Sequence, residues 1–277
     1  MQALDGIPFG ACCLLRRIEM IFDSHAHYYA AAFDQDRNEL LRKMNREQEV
    51  TTIVCPAENM LSSVKCVELA EEYDFIYAAV GVHPCYADSW NDDSIEELEK
   101  LLRHEKIVAL GEMGLDYYRR DDNRDVQKRA FTEQLALASS KKMPVIIHDR
   151  EAHGDMYDIL WHYRPEGVMH CFSGSVELAR EALQLGLYIG LGGSVTAVNA
   201  VRPVEVAKYV PLDRLVLETD APYLIPRIYR TGENKYKRCE SWMIRYVAQF
   251  IADLRGMETD QLLEITARNA SNLYRIK

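Results

Sequence analysis

No uninterrupted apolar stretch in this 277-residue chain approaches the roughly 20 residues a membrane-spanning helix requires, so a transmembrane helix is excluded. Positive charge is not in excess either, with 33 basic residues against 43 acidic ones and a net charge of -10. That balance argues against a protein that coats nucleic acid through a broad basic face, but not against one that grips a few phosphates locally. The seven cysteines, at 12, 13, 55, 66, 85, 171 and 239, are odd in number and form no CxxC pair. They point to reduced thiols in a cytoplasmic setting, not to a disulfide framework or a thiolate zinc site. Cys55 and Cys171 fall inside apolar runs, where packing as small buried side chains accounts for them. Nucleophile motifs are also missing. No Ser or Cys lies in a GxSxG context, and GLGG at 190–193 lacks the lysine of a phosphate loop and reads as a tight strand end. A covalent mechanism has no candidate.

What is present suits one large globular domain. Hydrophobic residues make up 48% of the chain and charged residues 27%, and an α/β barrel needs about 250 residues. The first nineteen residues lack the basic start and long apolar stretch of a secretory signal, since Asp5 comes early and Arg16 and Arg17 come last. They are expected to be an N-terminal extension (1–19), with a single domain over 20–277.

From Ile21 onward, short aliphatic runs alternate with helix-period segments. The predicted strands are 21–28, 51–57, 76–83, 107–112, 144–150, 168–173, 188–193 and 215–220. Nearly continuous apolar character is what parallel strands covered on both faces require. Four of the helical segments carry clear signals. Segment 62–73 opens on a Ser cap, and 94–104 opens on Ser94 with Glu97 three residues later. Segment 125–142 spaces Ala130, Phe131, Gln134, Leu135 and Ala138 along one face, and 175–185 runs from Ser175 into Gly186. Eight such units fit a (β/α)8 TIM barrel or a doubly wound sheet.

The polar residues decide between them. His25 and His27 close the first run, His83 the third, Glu112 the fourth, His148 the fifth, His170 the sixth and Asp220 the eighth. In a barrel these ends converge on one rim, where active sites sit, whereas an open sheet would spread them along a line. His25 and His27, two apart on a strand, face the same way and can share a metal, with Asp23 expected to orient one imidazole. Taken singly, a satisfied core histidine, a buried ion pair at Glu112 or a turn-capping Asp220 would explain each residue. Together they supply nitrogen and oxygen ligands for two divalent ions, which polarise a phosphoryl oxygen and activate water. The expected assignment puts His25, His27, Glu112 and Asp220 on one ion and Glu112, His148 and His170 on the other. Asp220 is the candidate general base. Histidine-rich ligation suits zinc or manganese, while phosphodiester cleavage also admits magnesium.

These residues lie in FDSHAHY (22–28), GVHP (81–84), GEMGLDYYR (111–119), PVIIHDRE (144–151), MHCFSGS (169–175) and LETDAPYL (217–224). Six motifs in order at barrel spacing resemble the TatD family of metal-dependent hydrolases, within the wider amidohydrolase-like barrel group. The resemblance implies a barrel with a divalent-metal site at the residues named, and metal-dependent deoxyribonuclease activity, often 3′-to-5′ exonucleolytic. It also implies substrate-side roles for His83, Tyr117 and Arg150. Where the family often carries an Asn-Glu-Pro-like triplet after the last strand, this chain reads Arg238, Cys239, Glu240, Ser241. The loop at 226–238 before that point interleaves Arg227, Arg230, Lys235, Lys237 and Arg238 with Tyr229 and Tyr236, a composition suited to phosphates and stacked bases.

The expected function is therefore a metal-dependent hydrolase of DNA phosphodiesters, acting through water. The rivals are hydrolysis of an amide, lactone or aminoacyl ester on the same ions, and a non-catalytic metal-binding barrel. A monomer is a plausible state.

Overall fold

Strands and helices alternate through the computed structural model, which describes residues 21–47, 49–230 and 235–277. The expected extension at 1–19 and the middle of the basic loop, 231–234, lie outside the described residues. The strands are β1 Ile21–Asp23, β2 Val50–Pro56, β3 Ile76–Val80, β4 Ile107–Asp116, β5 Val145–Arg150, β6 Gly167–Met169, β7 Tyr188–Leu191 and β8 Leu215–Leu217. All pair in parallel and in chain order. The first and last meet through an Ala26–Ala221 bridge, with the Ser24 N–H on the Leu217 carbonyl at 3.1 Å and the Asp220 N–H on the His25 carbonyl at 2.9 Å. The expected (β/α)8 barrel is the fold.

The helices are α1 Arg37–Glu47, α2 Met60–Glu72, α3 Ser94–Leu101, α4 Arg124–Lys141, α5 His153–Tyr163, α6 Val176–Gln184, α7 Val201–Tyr209, α8 Ile244–Arg255 and α9 Thr259–Tyr274. Two caps differ from expectation. Asn59, not Ser62, caps α2, and Ser62 instead completes a reciprocal capping box. Ser94 is the first residue of α3, and its hydroxyl accepts the Asn91 N–H. Ser175 caps α6 as expected.

Strand alternation splits the core in two. Phe22, Val54, Ala79, Ala109, Ile146, Val168 and Val216 fill the barrel interior together with Ala267, Ala270, Leu273 and Tyr274 of α9. Neighbours such as Ile21, Ile53, Val145 and Leu215 face outward into the helix layer. No helix among the described residues is long and apolar enough to cross a membrane.

Most strands stop short of their predicted C-terminal ends, because there the chain leaves the ladder to present side chains on the rim. Strand β4 does the opposite and runs on to Asp116, with an irregular register against β5 between Leu110 and Met113. Gly111 and Gly114, with φ of 140° and 145°, make that possible. A Cβ at Gly111 would lie 2.7 Å from the Ile146 carbonyl, and one at Gly114 would collide with the carbonyl of His148. Glycine thus lets the segment carrying Glu112 lie directly against the strand carrying His148.

Candidate metal centre

Glu112 is buried between two groups of imidazoles. Its Oε2 lies 3.3 Å from His25 Nε2 and 3.8 Å from His27 Nε2. Its Oε1 lies 2.8 Å from His148 Nδ1, 3.1 Å from His170 Nε2 and 3.4 Å from His83 Nε2. Asp220 closes the first group, with Oδ1 at 3.2 Å from His27 Nε2 and 3.7 Å from His25 Nε2. All six residues expected as ligands therefore converge, as does His83, which the motifs had placed on the substrate side. By proximity of their ligand atoms alone, the compact sets are His25–His27–Asp220, His25–Glu112–His170 and His83–Glu112–His148.

Outer contacts mark which nitrogen of His27, His148 and His170 faces inward. His27 Nδ1 lies 3.1 Å from the Pro56 carbonyl, which can only accept, so Nδ1 keeps its proton and Nε2 is the nitrogen that offers a lone pair once the ring is neutral. His148 Nε2 lies 3.2 Å from Asp116 Oδ2, leaving Nδ1 as the inward atom. His170 directs Nδ1 towards Glu218 Oε1 at 3.4 Å. Carboxylate or carbonyl support behind a ligating imidazole is the usual second layer of a metal site. His83 is wired the other way. Its Nδ1 accepts the Cys85 N–H at 3.0 Å, so the neutral ring holds its proton on Nε2 and presents a donor, not a ligand, to the centre.

The Nε2 atoms of His25 and His27 stand 3.1 Å apart, two like donor atoms that need a cation or a proton between them. That is the structural reason to regard this set as fit for metal ions. Titration behaviour follows from the same crowding. Burial pushes the Glu112 carboxyl up, but the charge of His170 and the hydrogen bonds from His148 and His170 outweigh it and hold the group well below the usual range. Burial likewise opposes His27, yet the hydrogen bond and charge of Asp220 lift it to about 9. His83, where burial wins, falls to about 3 and is neutral near pH 7. Asp220 is held low, because its bond to His27 and that ring's charge overcome burial.

Helix α4 sets the positions of two strand ends. Its buried Gln134 accepts the Val82 N–H at 2.8 Å and donates to the Val82 carbonyl at 3.1 Å, beside His83. Gln127 does the same for Asp116, at 2.8 and 3.2 Å.

Several expectations are corrected. Asp23 orients no imidazole: its carboxylate accepts the Thr219 hydroxyl at 2.6 Å and the N–H groups of Thr219 and His25 at 3.0 and 3.3 Å, tying β1 to the β8 end. Burial pushes its pKa up to about 7 against those bonds. Tyr117 and Arg150, expected on the substrate side and not as ligands, stand outside the cluster. The Tyr117 hydroxyl donates to Asp155 at 2.6 Å, and Arg150 lies over the ring of Tyr118 at 4.1 Å. Cys171 is partly exposed and has φ of 45°, with its N–H on Glu218 Oε1, so it is not a buried strand residue. Tyr229 and Tyr236 of the basic loop pack edge to face on Trp242 at 5.2 and 5.4 Å, with Tyr236 still 37% exposed. Arg238 pairs with Asp36 at 2.6 Å and Glu240 at 3.2 Å, and Glu240 also accepts the Trp242 indole N–H at 2.8 Å. The loop shape thus holds without the proline.

Asp116 and Glu218, which the motifs do not single out, stand behind His148 and His170. Each sits at an even spacing from a recognised residue, Asp116 four after Glu112 and Glu218 two before Asp220, which is the signal that points to them.

The model of the family described as TatD related DNase matches residues 22–275. The chain is similar to the uncharacterized metal-dependent hydrolase YabD of Bacillus subtilis, at 42% identity over 93% of this chain and 100% of that protein. It is 35% identical to the 3′-5′ ssDNA/RNA exonuclease TatD of Cronobacter sakazakii, over 92% and 97% of the two chains. Among solved structures, the TatD homolog YJJV from Escherichia coli superimposes with a TM-score of 0.86 at 31% identity, over 94% of this chain and 100% of that one.

Proposed function

The chain belongs to the TatD-related DNase family, and from that premise we propose that it removes nucleotides from DNA ends, in the 3′-to-5′ direction, by metal-dependent hydrolysis. The observation that carries this reading is the placement of Glu112, one oxygen towards His25 and His27 and the other towards His148 and His170. Such a carboxylate suits two ions that share it. His25, His27, Glu112 and Asp220 would hold one, and Glu112, His148 and His170 the other, with zinc, manganese or magnesium as candidates. Bound there, the ions supply Lewis acidity towards a phosphoryl oxygen and lower the pKa of water.

The chain's own groups do the rest. Asp220, the most exposed of the proposed ligands' carboxylates with 17% of its side chain in solvent against 4% for Glu112, is placed to take the proton of the attacking water. His83, neutral with its proton on Nε2, donates a hydrogen bond towards the reacting centre. Asp116 and Glu218 hold His148 and His170 in register. Arg150 and Tyr117 would stand on the substrate side of the rim, Arg150 for a neighbouring phosphate, with the Tyr117 hydroxyl held on Asp155. The catalytic unit would be residues 20–277, with 1–19 an extension.

A carbonyl would be polarised by the same ions, which keeps an amide, lactone or aminoacyl ester as the competing substrate class. The test is digestion of 3′- and 5′-labelled single strands by protein reloaded with each metal, beside an aminoacyl ester and simple lactones. Stepwise shortening from the 3′ end is expected. Intact DNA with a hydrolysed ester would overturn the reading.

A further inference from the structure

Tyr86, Tyr118 and Tyr223 leave three different strand ends, after β3, β4 and β8, and are exposed at 43%, 67% and 54%. Three rings left in water on the rim that carries the donor cluster form a surface suited to flat π partners. Tyr118 is already covered on one face by the Arg150 guanidinium, 4.1 Å from its centroid. Tyr86 and Tyr223 are not so occupied, and among the described residues their hydroxyls have no hydrogen-bond partner.

Both are anchored by their backbones to the centre. The Tyr223 N–H donates to the Asp220 carbonyl at 2.8 Å, and its ring centroid lies 6.1 Å from that of His27. The Tyr86 N–H donates to the His83 carbonyl at 2.8 Å. The two rings share one neighbourhood. Tyr223 follows Asp220 and Tyr86 follows His83 by three residues each, and Asp220 and His83 border the same donor cluster, Asp220 at His27 and His83 at Glu112. Arg119 is half-exposed there, held by its N–H on Asp116 at 2.8 Å and its guanidinium 3.9 Å from Cys85 Sγ.

We propose that Tyr223 and Tyr86 form a clamp for the terminal nucleobase of a single strand, with Arg119 beside the adjoining phosphate. A phosphodiester seated at His27 and Asp220 leaves the nucleoside attached to it against the Tyr223 ring. Every base has a π face, so such a clamp is blind to sequence, and it admits only a base free to turn out of its stack. The clamp rests on the nucleic-acid reading above and adds to it a residue-level basis for taking single-stranded ends.

The test uses two otherwise identical single strands, one ending in thymidine and one in an abasic deoxyribose analogue, cleaved by the manganese-loaded protein. Stacking of roughly 1–3 kcal/mol per base corresponds to a preference in kcat/KM of about 5- to 150-fold for the thymidine end. Tyr223→Ala and Tyr86→Ala should each pull that ratio towards one, while Tyr223→Phe and Tyr86→Phe should keep it, because the ring and not the hydroxyl stacks. The ratio is taken within each protein, so unequal folding of variants cancels. Wild-type protein that removes both ends equally, or Ala variants that keep the preference, would overturn the clamp and leave the nuclease reading standing. Wild-type protein that removes neither end would overturn both.

Discussion

Adding one methyl group at Gly190 should weaken metal binding without touching a ligand. Gly190 lies on β7, and a Cβ built there sits 2.5 Å from Glu218 Oε2 and 3.0 Å from its Cδ. The carboxylate must retreat by about 1 Å to reach ordinary van der Waals separation. It has little freedom to do so, being 1% exposed, with Oε1 receiving the Cys171 N–H and facing His170 Nδ1 at 3.4 Å. Displacing it removes the support behind the His170 ring. Loss of such an outer partner typically costs about 10–100-fold in metal affinity or activity, equivalent to roughly 1.4–2.8 kcal/mol. Overpacking should also lower folding stability by about 1–3 kcal/mol. The assay is calorimetric titration of the metal-stripped Gly190→Ala protein with manganese, beside thermal melting. Glu218→Gln, which keeps volume and removes charge, should show the affinity loss with less effect on melting. Gly154→Ala is the control, since nothing lies within 4 Å of its added Cβ, and helix propensity there predicts a gain of up to about 1 kcal/mol. Wild-type affinity in both Gly190→Ala and Glu218→Gln would refute the idea that Glu218 orients His170.

Asp220→Asn should retain metal, measured by elemental analysis, and lose about 100- to 10,000-fold in kcat, the range for a positioned proton acceptor. Near-normal turnover removes Asp220 from that role. Metal binding should release protons, because His27 at about 9 and His170, which the charges of Glu112 and Glu218 raise well above its ordinary value against burial, are protonated near neutrality. Both must lose a proton to ligate, so affinity rises with pH until His27 has titrated; calorimetric heats that do not change with buffer ionisation enthalpy would contradict this. Arg150→Ala should raise KM for an oligonucleotide with little change in kcat and flatten the slope of log affinity against log salt by about 0.7, as one lost phosphate contact on a single strand predicts. An unchanged slope means Arg150 touches no phosphate.

The barrel was legible because six of the eight strand runs end on a residue with no reason to be in a core. His25, His83, Glu112, His148, His170 and Asp220 all terminate apolar stretches, and only a closed sheet brings such ends together. What stayed hidden depended on hydrogen bonding across the chain. Asp23 lies two residues before His25 and was expected to serve an imidazole, yet the β8 end takes it through Thr219. Tyr117 sits in the same motif as Glu112 and Asp116, but its hydroxyl turns to Asp155, on the neighbouring helix α5. The length of β4 was hidden for a different reason. Gly111 and Gly114 look like strand breakers in sequence, whereas here they permit close contact with β5 and carry the strand on to Asp116. The tautomer of His83 is written in a single backbone bond from Cys85, which no spacing rule predicts.

Charge explains how an acidic chain can accept an anionic substrate at all. Glu112, Asp116 and Asp220 are each held below the ordinary carboxylate range, Asp116 at about 2, where burial is outweighed by its bond from His148. Ionised, and together with Glu218 behind His170, they give the pocket four negative charges, in a protein whose net charge is already -10. With neutral imidazoles and a single dication the pocket stays net negative and repels a phosphodiester. A second dication brings it to neutrality and removes the repulsion a phosphodiester would meet. Activity plotted against manganese should therefore rise with a Hill slope above one, or in two steps with turnover confined to the second. Full activity at one equivalent of tightly bound metal would show that the rim arginines supply the missing charge instead.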